Sequence, residues 1–194
     1  MELKYVPLTK DNVFEMTRAQ MKIFPTECGF FQYNYAVTCN KDYWKYWIVY
    51  NEENIVAITG LYSDFDISDT NSIWLGWFGV SPEYRKQGIG KKVLEFTINE
   101  AYKLAEKYPI KFFRLYTSDT ENKEAQFLYS KLMDKKEIYN HPDDYNYDNT
   151  CLIWTKSLFK DSIKDWNNKY LGLKEIVKQE EIYRKIFFEK NKSN

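Results

Sequence analysis

The sequence predicts an α/β domain built on one mixed sheet, with a helical segment appended after it. Three observations carry this reading. Residues 73–80, IWLGWFGV, are a nearly continuous apolar run of strand length, as in a central strand covered on both faces. From Ile89 onward Val93, Leu94, Ile98, Ala101, Leu104 and Ala105 recur at three- and four-residue spacing, the mark of an amphipathic helix. Strand-like and helix-like stretches then alternate up to residue 156, the order expected of one sheet with helices against it.

Taken in order, residues 2–7 (ELKYVP) read as a first strand, and Asp11 or Asn12 can cap a helix carrying Val13, Met16 and Ile23. Residues 24–40 read as irregular and aromatic. The runs 46–50 and 55–62 are β-branched and aromatic, and the polar residues 51–54 between them predict a hairpin. An acidic loop, 64–72, leads into the central strand. The helix from Ile89 should end near Pro109, followed by a strand at 112–117. Ala125, Leu128, Tyr129 and Leu132 mark one face of a second helix, with Ser118, Asp119 or Thr120 available as its cap. Residues 137–139 and 151–156 close the sheet around a polar loop, 140–149. Beyond it Leu173, Ile176, Val177, Tyr183, Ile186 and Phe187 stand at helical spacing, predicting one or two further helices.

Composition narrows the chemistry. Lysine plus arginine equal aspartate plus glutamate at 28 each, so no global pull toward nucleic acid or an anionic membrane is expected. Any anion site must be local. The N-terminus lacks a secretory pattern, and no run of about 18 apolar residues occurs, so a soluble cytoplasmic protein is expected. Cys28, Cys39 and Cys151 are odd in number and widely spaced, which points to free thiols and away from a disulfide framework or a thiolate metal site. His141 is the only histidine, which removes multi-histidine metal sites and most histidine-activated nucleophiles. No metal is expected.

The most informative stretch is SPEYRKQGIGKK, residues 81–92, directly after the central strand. A strand that passes through a glycine-bearing turn into a helix makes an anion site, because the first helical N–H groups have no intrahelical acceptor. Gly88 and Gly90 let a phosphate approach the backbone and allow φ > 0. The spacing excludes two familiar phosphate motifs. A P-loop requires glycine where Arg85 stands and Ser or Thr where Lys92 stands, and a dinucleotide fingerprint requires glycine at Val93. A nucleic-acid grip by these basic residues finds no second basic patch to extend it.

The run VSPEYRKQGIG resembles the central signature of the GNAT superfamily of acyl-CoA-dependent N-acyltransferases, V-x-P-x-x-[R/Q]-x-x-G-x-[G/A]. Asn122, Ala125 and Tyr129 in NKEAQFLY resemble a second element of that family, N-x-x-A-x-x-x-Y on a later helix. The resemblance covers residues 1–156 and implies a single mixed, mostly antiparallel sheet flanked by helices. Residues 1–156 are then the acyl-CoA N-acyltransferase domain and 157–194 a C-terminal helical extension. The extension must bury its apolar face on the parent domain or on a second subunit, which leaves a homodimer open.

The resemblance implies acetyl-CoA as co-substrate. Its pyrophosphate would lie on the amides of Gln87, Gly88, Ile89, Gly90 and Lys91, with Arg85 and Lys86 adding charge. Its pantetheine arm would pair with Phe78, Gly79 and Val80 and be positioned by Asn122. Tyr129 would act as general acid toward the departing thiolate. Many family members carry a carboxylate on the central strand; here Gly76 and Trp77 stand in its place. The base candidates are therefore Glu27, Asp64 and Asp66 acting through water, with Asp69 in the same acidic loop. Phe30, Phe31, Tyr33 and Trp77 are candidates to line a pocket for a small amine or an amino-terminal group, toward which Asp143 and Asp144 could also draw a cation. The missing strand carboxylate leaves a non-catalytic acyl-CoA-binding module as the alternative.

Overall fold

The computed structural model describes residues 2–63, 71–118, 123–141, 144, 151–160, 165–166 and 169–191, the last with backbone alone at 174, 176, 177, 180, 190 and 191. Seven strands form one sheet in the order β1-β2-β3-β4-β5-β7-β6. They are β1 (Lys4–Pro7), β2 (Lys45–Asn51), β3 (Asn54–Tyr62), β4 (Ser72–Val80), β5 (Phe112–Ser118), β6 (Lys135–Tyr139) and β7 (Cys151–Ser157). Among the described residues, five α-helices accompany them: α1 (Val13–Ile23), α2 (Phe30–Thr38), α3 (Ile89–Ala105), α4 (Lys123–Leu132) and α5 (Leu173–Asn191). β4 and β5 run parallel, whereas β1–β2, β2–β3, β5–β7 and β6–β7 are antiparallel, so the expected mixed, mostly antiparallel sheet is present. By contact the chain forms two compact units, Met1–Leu61, Gly76–Thr97 and Glu175–Asn194 in one, Tyr62–Leu75 and Ile98–Lys174 in the other.

In the first unit, the β2–β3 hairpin turns through Glu52 and Glu53, with Asn51 opposite Asn54 and Glu52 at φ 54°. Period-2 alternation sends Ile48 into a core with Met16, Tyr33, Ile58 and Phe187, and Val49 into a second cluster with Val56, Ala57, Ile89 and Val93. Opposite Gly60 in the register lies Tyr46, whose ring occupies the space a Cβ would need. The middle of α3 is tied to β3 by a buried hydroxyl pair, Thr59 Oγ1 to Thr97 Oγ1 at 2.7 Å, while Thr97 also donates to Val93 O.

Two local readings change. Asn12 is the N-cap residue of α1 but makes no side-chain cap; its Oδ1 accepts from Thr9 N–H and its Nδ2 donates to Pro7 O. Residues 30–38, read as irregular, are helical. Phe30, Tyr33, Ala36 and Val37 repeat at helical spacing and pack on the core, and tertiary burial overrides the low helix propensity of aromatic residues. The helix ends where Asn40 takes φ 54°, a left-handed stop that asparagine tolerates.

In the second unit, Arg114 on β5 is 3% exposed, and its charge is accommodated by polar and aromatic groups. Its Nε donates to Ser72 Oγ at 2.9 Å and its Nη1 to Thr155 Oγ1 at 2.6 Å, while the guanidinium lies over the rings of Phe112 and Trp166. Asp144, fully buried, accepts from Tyr139 OH at 2.5 Å and from Leu171 N–H at 3.1 Å. Burial, then the Asp144 carboxylate, hold the Tyr139 phenol well above its ordinary range. Among the described residues, no helix is long and apolar enough to cross a membrane.

Candidate active site

The glycine turn and the distal part of β4 belong to the first unit. β4 ends at Val80, and Ser81 ties its end to β3 by donating its N–H to Val56 O at 2.9 Å and its hydroxyl to Ile55 O. A single 3₁₀ turn, Pro82–Tyr84, follows, and Arg85 is extended. Lys86 stands at φ 62° and Gly88 at φ 77°. Only glycine takes such a φ without steric cost, and a Cβ at Gly88 would meet nothing within 4 Å. The residue is therefore dictated by backbone conformation, and the side where a Cβ would stand is open. Gly90 lies inside the first turn of α3.

Lys92 N–H bonds to Gly88 O, so Gly88 is the last residue before the helix and the amides of Ile89, Gly90 and Lys91 fall in its unpaired first turn. The N-terminal end of α3 also carries the positive end of the helix dipole. Gln87, Gly88 and Lys91 are exposed, while Ile89 is buried and anchors the turn. The basic side chains are partly engaged elsewhere. Arg85 Nε donates to Val80 O at 3.1 Å, Lys91 pairs with Glu95, and the exposed Lys22 pairs with Glu83, holding that carboxyl below its usual range. The last pairing offsets an acidic charge beside the turn. The amides of Ile89, Gly90 and Lys91 lack intrahelical acceptors, and the open position at Gly88 leaves room for a group the size of a phosphate.

β4 itself is distorted just before the turn. Trp77 adopts φ 35°, in the left-handed region rare for a bulky residue, and the burial alternation of the strand breaks between Gly76 and Gly79. The register with β5 pairs Ser72, Ile73 and Trp74 with Phe112, Phe113 and Arg114. Trp77 is held by packing: its ring centre lies 5.9 Å from that of Phe24, and a Cβ on Gly29 would come within 2.7 Å of its Nε1. A Cβ on Gly79 would lie 2.6 Å from Ile23 Cγ2 and 2.9 Å from the Phe24 ring. Phe78 and Val80 pack toward the cluster around Val49 and Ile89.

Residues 24–29 form a fixed turn over this part of β4. Phe24 N–H bonds to Gln20 O and Glu27 N–H to Phe24 O, while the buried Gln20 side chain accepts Gly29 N–H at 2.8 Å. Glu27 is exposed on this turn. Of the aromatic candidates, Phe30 and Tyr33 are core residues at 5% and 0% exposure, whereas Phe31 and Trp77 retain accessible surface. No sequence motif marks Gln20 or the conformation of Trp77, and the only sequence signal for Arg184 of α5 is the aromatic face beside it.

In the second unit, α4 buries Tyr129 on its inner face, with the ring 6.1 Å from that of Trp154. Desolvation pushes the Tyr129 phenol well above its ordinary range, so it stays protonated at neutral pH. The indole N–H of Trp154 is also buried and has no acceptor among the described residues. Asn122, Asp64, Asp66, Asp69 and Asp143, and the cap candidates Asp119 and Thr120, lie outside the described residues. Cys28, Cys39 and Cys151 form no disulfide; Cys28 and Cys151 are buried and Cys39 is half-buried.

Comparison with known proteins gives the family and the fold. Residues 11–134 match the Acetyltransferase (GNAT) family. No curated protein sequence matches the chain at a significant level. Among solved structures, the ribosomal-protein-S18-alanine N-acetyltransferase from Escherichia coli is 15% identical with a TM-score of 0.60, covering 87% of this chain and 100% of its own. A putative GNAT acetyltransferase from Desulfovibrio desulfuricans is 8% identical with a TM-score of 0.65, covering 81% of this chain and 100% of its own. A spermidine/spermine N-acetyltransferase from Vibrio cholerae is 11% identical with a TM-score of 0.60, covering 80% and 94%. At these identities the likeness is one of fold.

Proposed function

The chain belongs to the acetyltransferase (GNAT) family, and from that premise we propose that it is an N-acetyltransferase that moves an acetyl group from acetyl-CoA to a primary amine. The acceptor is a small amine or an amino-terminal group, attacking the thioester directly. The observation that carries the reading is the turn at Gly88, whose φ of 77° opens the backbone onto the start of α3. The amides of residues 87–91 would hold the pyrophosphate there, by helix-terminus electrostatics. Bound acetyl-CoA supplies the activated acetyl group.

The remaining residues keep the roles expected of them from the sequence. Phe78, Gly79 and Val80 would offer backbone partners to the pantetheine arm, and an N–H from that strand would stabilise the developing oxyanion. Asn122 would help to position the arm. An alkyl amine with a pKa of about 10.4 is mostly protonated at neutral pH, a cost of roughly 4.6 kcal/mol for its reactive form, so a proton acceptor assists. Glu27, Asp64 and Asp66 are the proposed acceptors, through water. Phe31 and Trp77 would face the acceptor, with Phe30 and Tyr33 behind them.

Tyr129 would serve the leaving thiolate. Even an unperturbed phenol would transfer its proton to a thiolate uphill by about 2 kcal/mol, and burial raises that cost further. Hydrogen bonding from the Tyr129 hydroxyl to the thiolate therefore contributes more than complete transfer.

The test is thiol release from acetyl-CoA with a panel of amines that includes spermidine and an alanine-initiated peptide, both suggested by the acceptors named for the neighbouring folds. Stimulation by at least one amine is expected, and none by any amine contradicts the reading. Tyr129→Phe should lower kcat by about 10²-fold or more while acetyl-CoA affinity is retained. The pH profile sharpens this. Because the Tyr129 phenol is raised, it stays protonated past pH 10, so kcat/KM should climb with amine deprotonation from pH 7 without turning down below about pH 10.

A further inference from the structure

We infer that α5, which lies beyond the family match at residues 11–134, is a positioning element for the acceptor side of the site. The inference rests on the acetyltransferase reading and deepens it. Three consecutive layers carry it, all within the first unit. The inner layer is residues 77–79 of β4, where the acetyl thioester is proposed to lie. The middle layer is residues 23–31, the end of α1, the turn of residues 24–29 and the start of α2, which fill the space over that strand. Ile23 and Phe24 stand against the Cα of Gly79, and Gly29 stands against the Trp77 indole, leaving no room for a Cβ at either glycine.

The outer layer is α5, which grips the middle layer with three side chains from one stretch of its surface. Arg184 Nη1 donates to Thr26 O at 2.6 Å. The Tyr183 ring stacks on Phe31 with centres 4.3 Å apart and planes 6° from parallel. Phe187, 3% exposed, lies 5.4 Å from Phe30 and 6.0 Å from Phe14. Gln20 of α1 holds the same turn at Gly29. Glu27 sits between these two grips, beside Thr26, so both the candidate base and the accessible aromatic Phe31 are placed by α5. Charge-assisted bonding to a backbone carbonyl suits this task, because it fixes the turn without occupying a side chain that the acceptor would meet.

The contacts that α5 makes through Tyr183, Arg184 and Phe187 fall on Phe14, Thr26, Phe30 and Phe31, in α1, α2 and the turn between them. The inference therefore separates the two substrates: disturbing α5 should affect the amine and spare acetyl-CoA. The experiment compares the full chain with Arg184→Ala and Arg184→Lys, using Tyr183→Ala as a second variant that retains the Phe187 anchor. In Arg184→Ala, amide hydrogen exchange in residues 24–31 should accelerate about tenfold, the effect of losing one charged hydrogen bond. Exchange in β1–β3 and the affinity for acetyl-CoA should be unchanged. With spermidine or an alanine-initiated peptide as acceptor, KM for the amine should rise by about tenfold with KM for acetyl-CoA unaltered, and Arg184→Lys should restore part of the loss.

Unchanged exchange in residues 24–31 would overturn the inference. So would an acceleration spread equally over β1–β3 with loss of acetyl-CoA binding, since α5 would then support the whole unit. If the unaltered chain fails to bind acetyl-CoA, the acetyltransferase reading fails on its own, and the exchange measurement still decides what α5 holds.

Discussion

Trp77 and Gly88 both hold φ in the left-handed region, at 35° and 77°, and they reach it by opposite means. At Gly88 the residue type suits the conformation, nothing crowds the position, and the turn is written locally. At Trp77 the residue type opposes it, at a cost of roughly 1–2 kcal/mol, and packing against Phe24 and Gly29 accompanies it. The comparison teaches that the proposed phosphate turn is a property of a short sequence, whereas the distorted strand beside it is a property of the tertiary core.

Substitutions at the two places should fail in different ways. The largest effect is expected at Gly79, beside the distortion, where an added Cβ meets Ile23 and Phe24 below 3.0 Å. Gly79→Ala should cost about 1–3 kcal/mol, measured by denaturant unfolding, because the surrounding side chains must move. Gly88→Ala meets no neighbour, so its cost should be backbone strain alone, about 1 kcal/mol, together with weaker acetyl-CoA binding by calorimetry. An equal loss of stability at the two glycines would erase the distinction. The smallest effect is a reversal of order at Trp77. In an ordinary strand glycine is less stable than alanine by about 0.5–1 kcal/mol, but Trp77→Gly should be the more stable of the pair here, because it relieves the φ. If Trp77→Ala is the more stable variant, the strand is not strained.

The same contrast explains what the sequence reveals. The sheet, α3, α4 and the Gly88 turn are legible because apolar period and glycine spacing are local signals. The helix at residues 30–38 is not, because aromatic residues without a capping side chain look irregular until the core that buries Phe30 and Tyr33 is known. For α5 the amphipathic pattern shows that a face must be covered. It does not show that Phe14, Phe30 and Phe31 cover it. The motif that includes Tyr129 marks a position, while the burial that keeps its phenol protonated comes from the second unit's packing. Glu27 is visible as an acidic residue, but the two grips that fix its turn come from Gln20 and Arg184, distant in sequence.

The central claim is that the turn at residues 87–91 receives the pyrophosphate of acetyl-CoA through its backbone. Titration of isotope-labelled protein with coenzyme A, followed by amide chemical shifts, tests it most directly. The account predicts that the largest shifts fall on the amides of Gln87, Gly88, Ile89, Gly90 and Lys91 and are lost in Gly88→Ala. Saturable binding of coenzyme A that leaves these amides unmoved would contradict it.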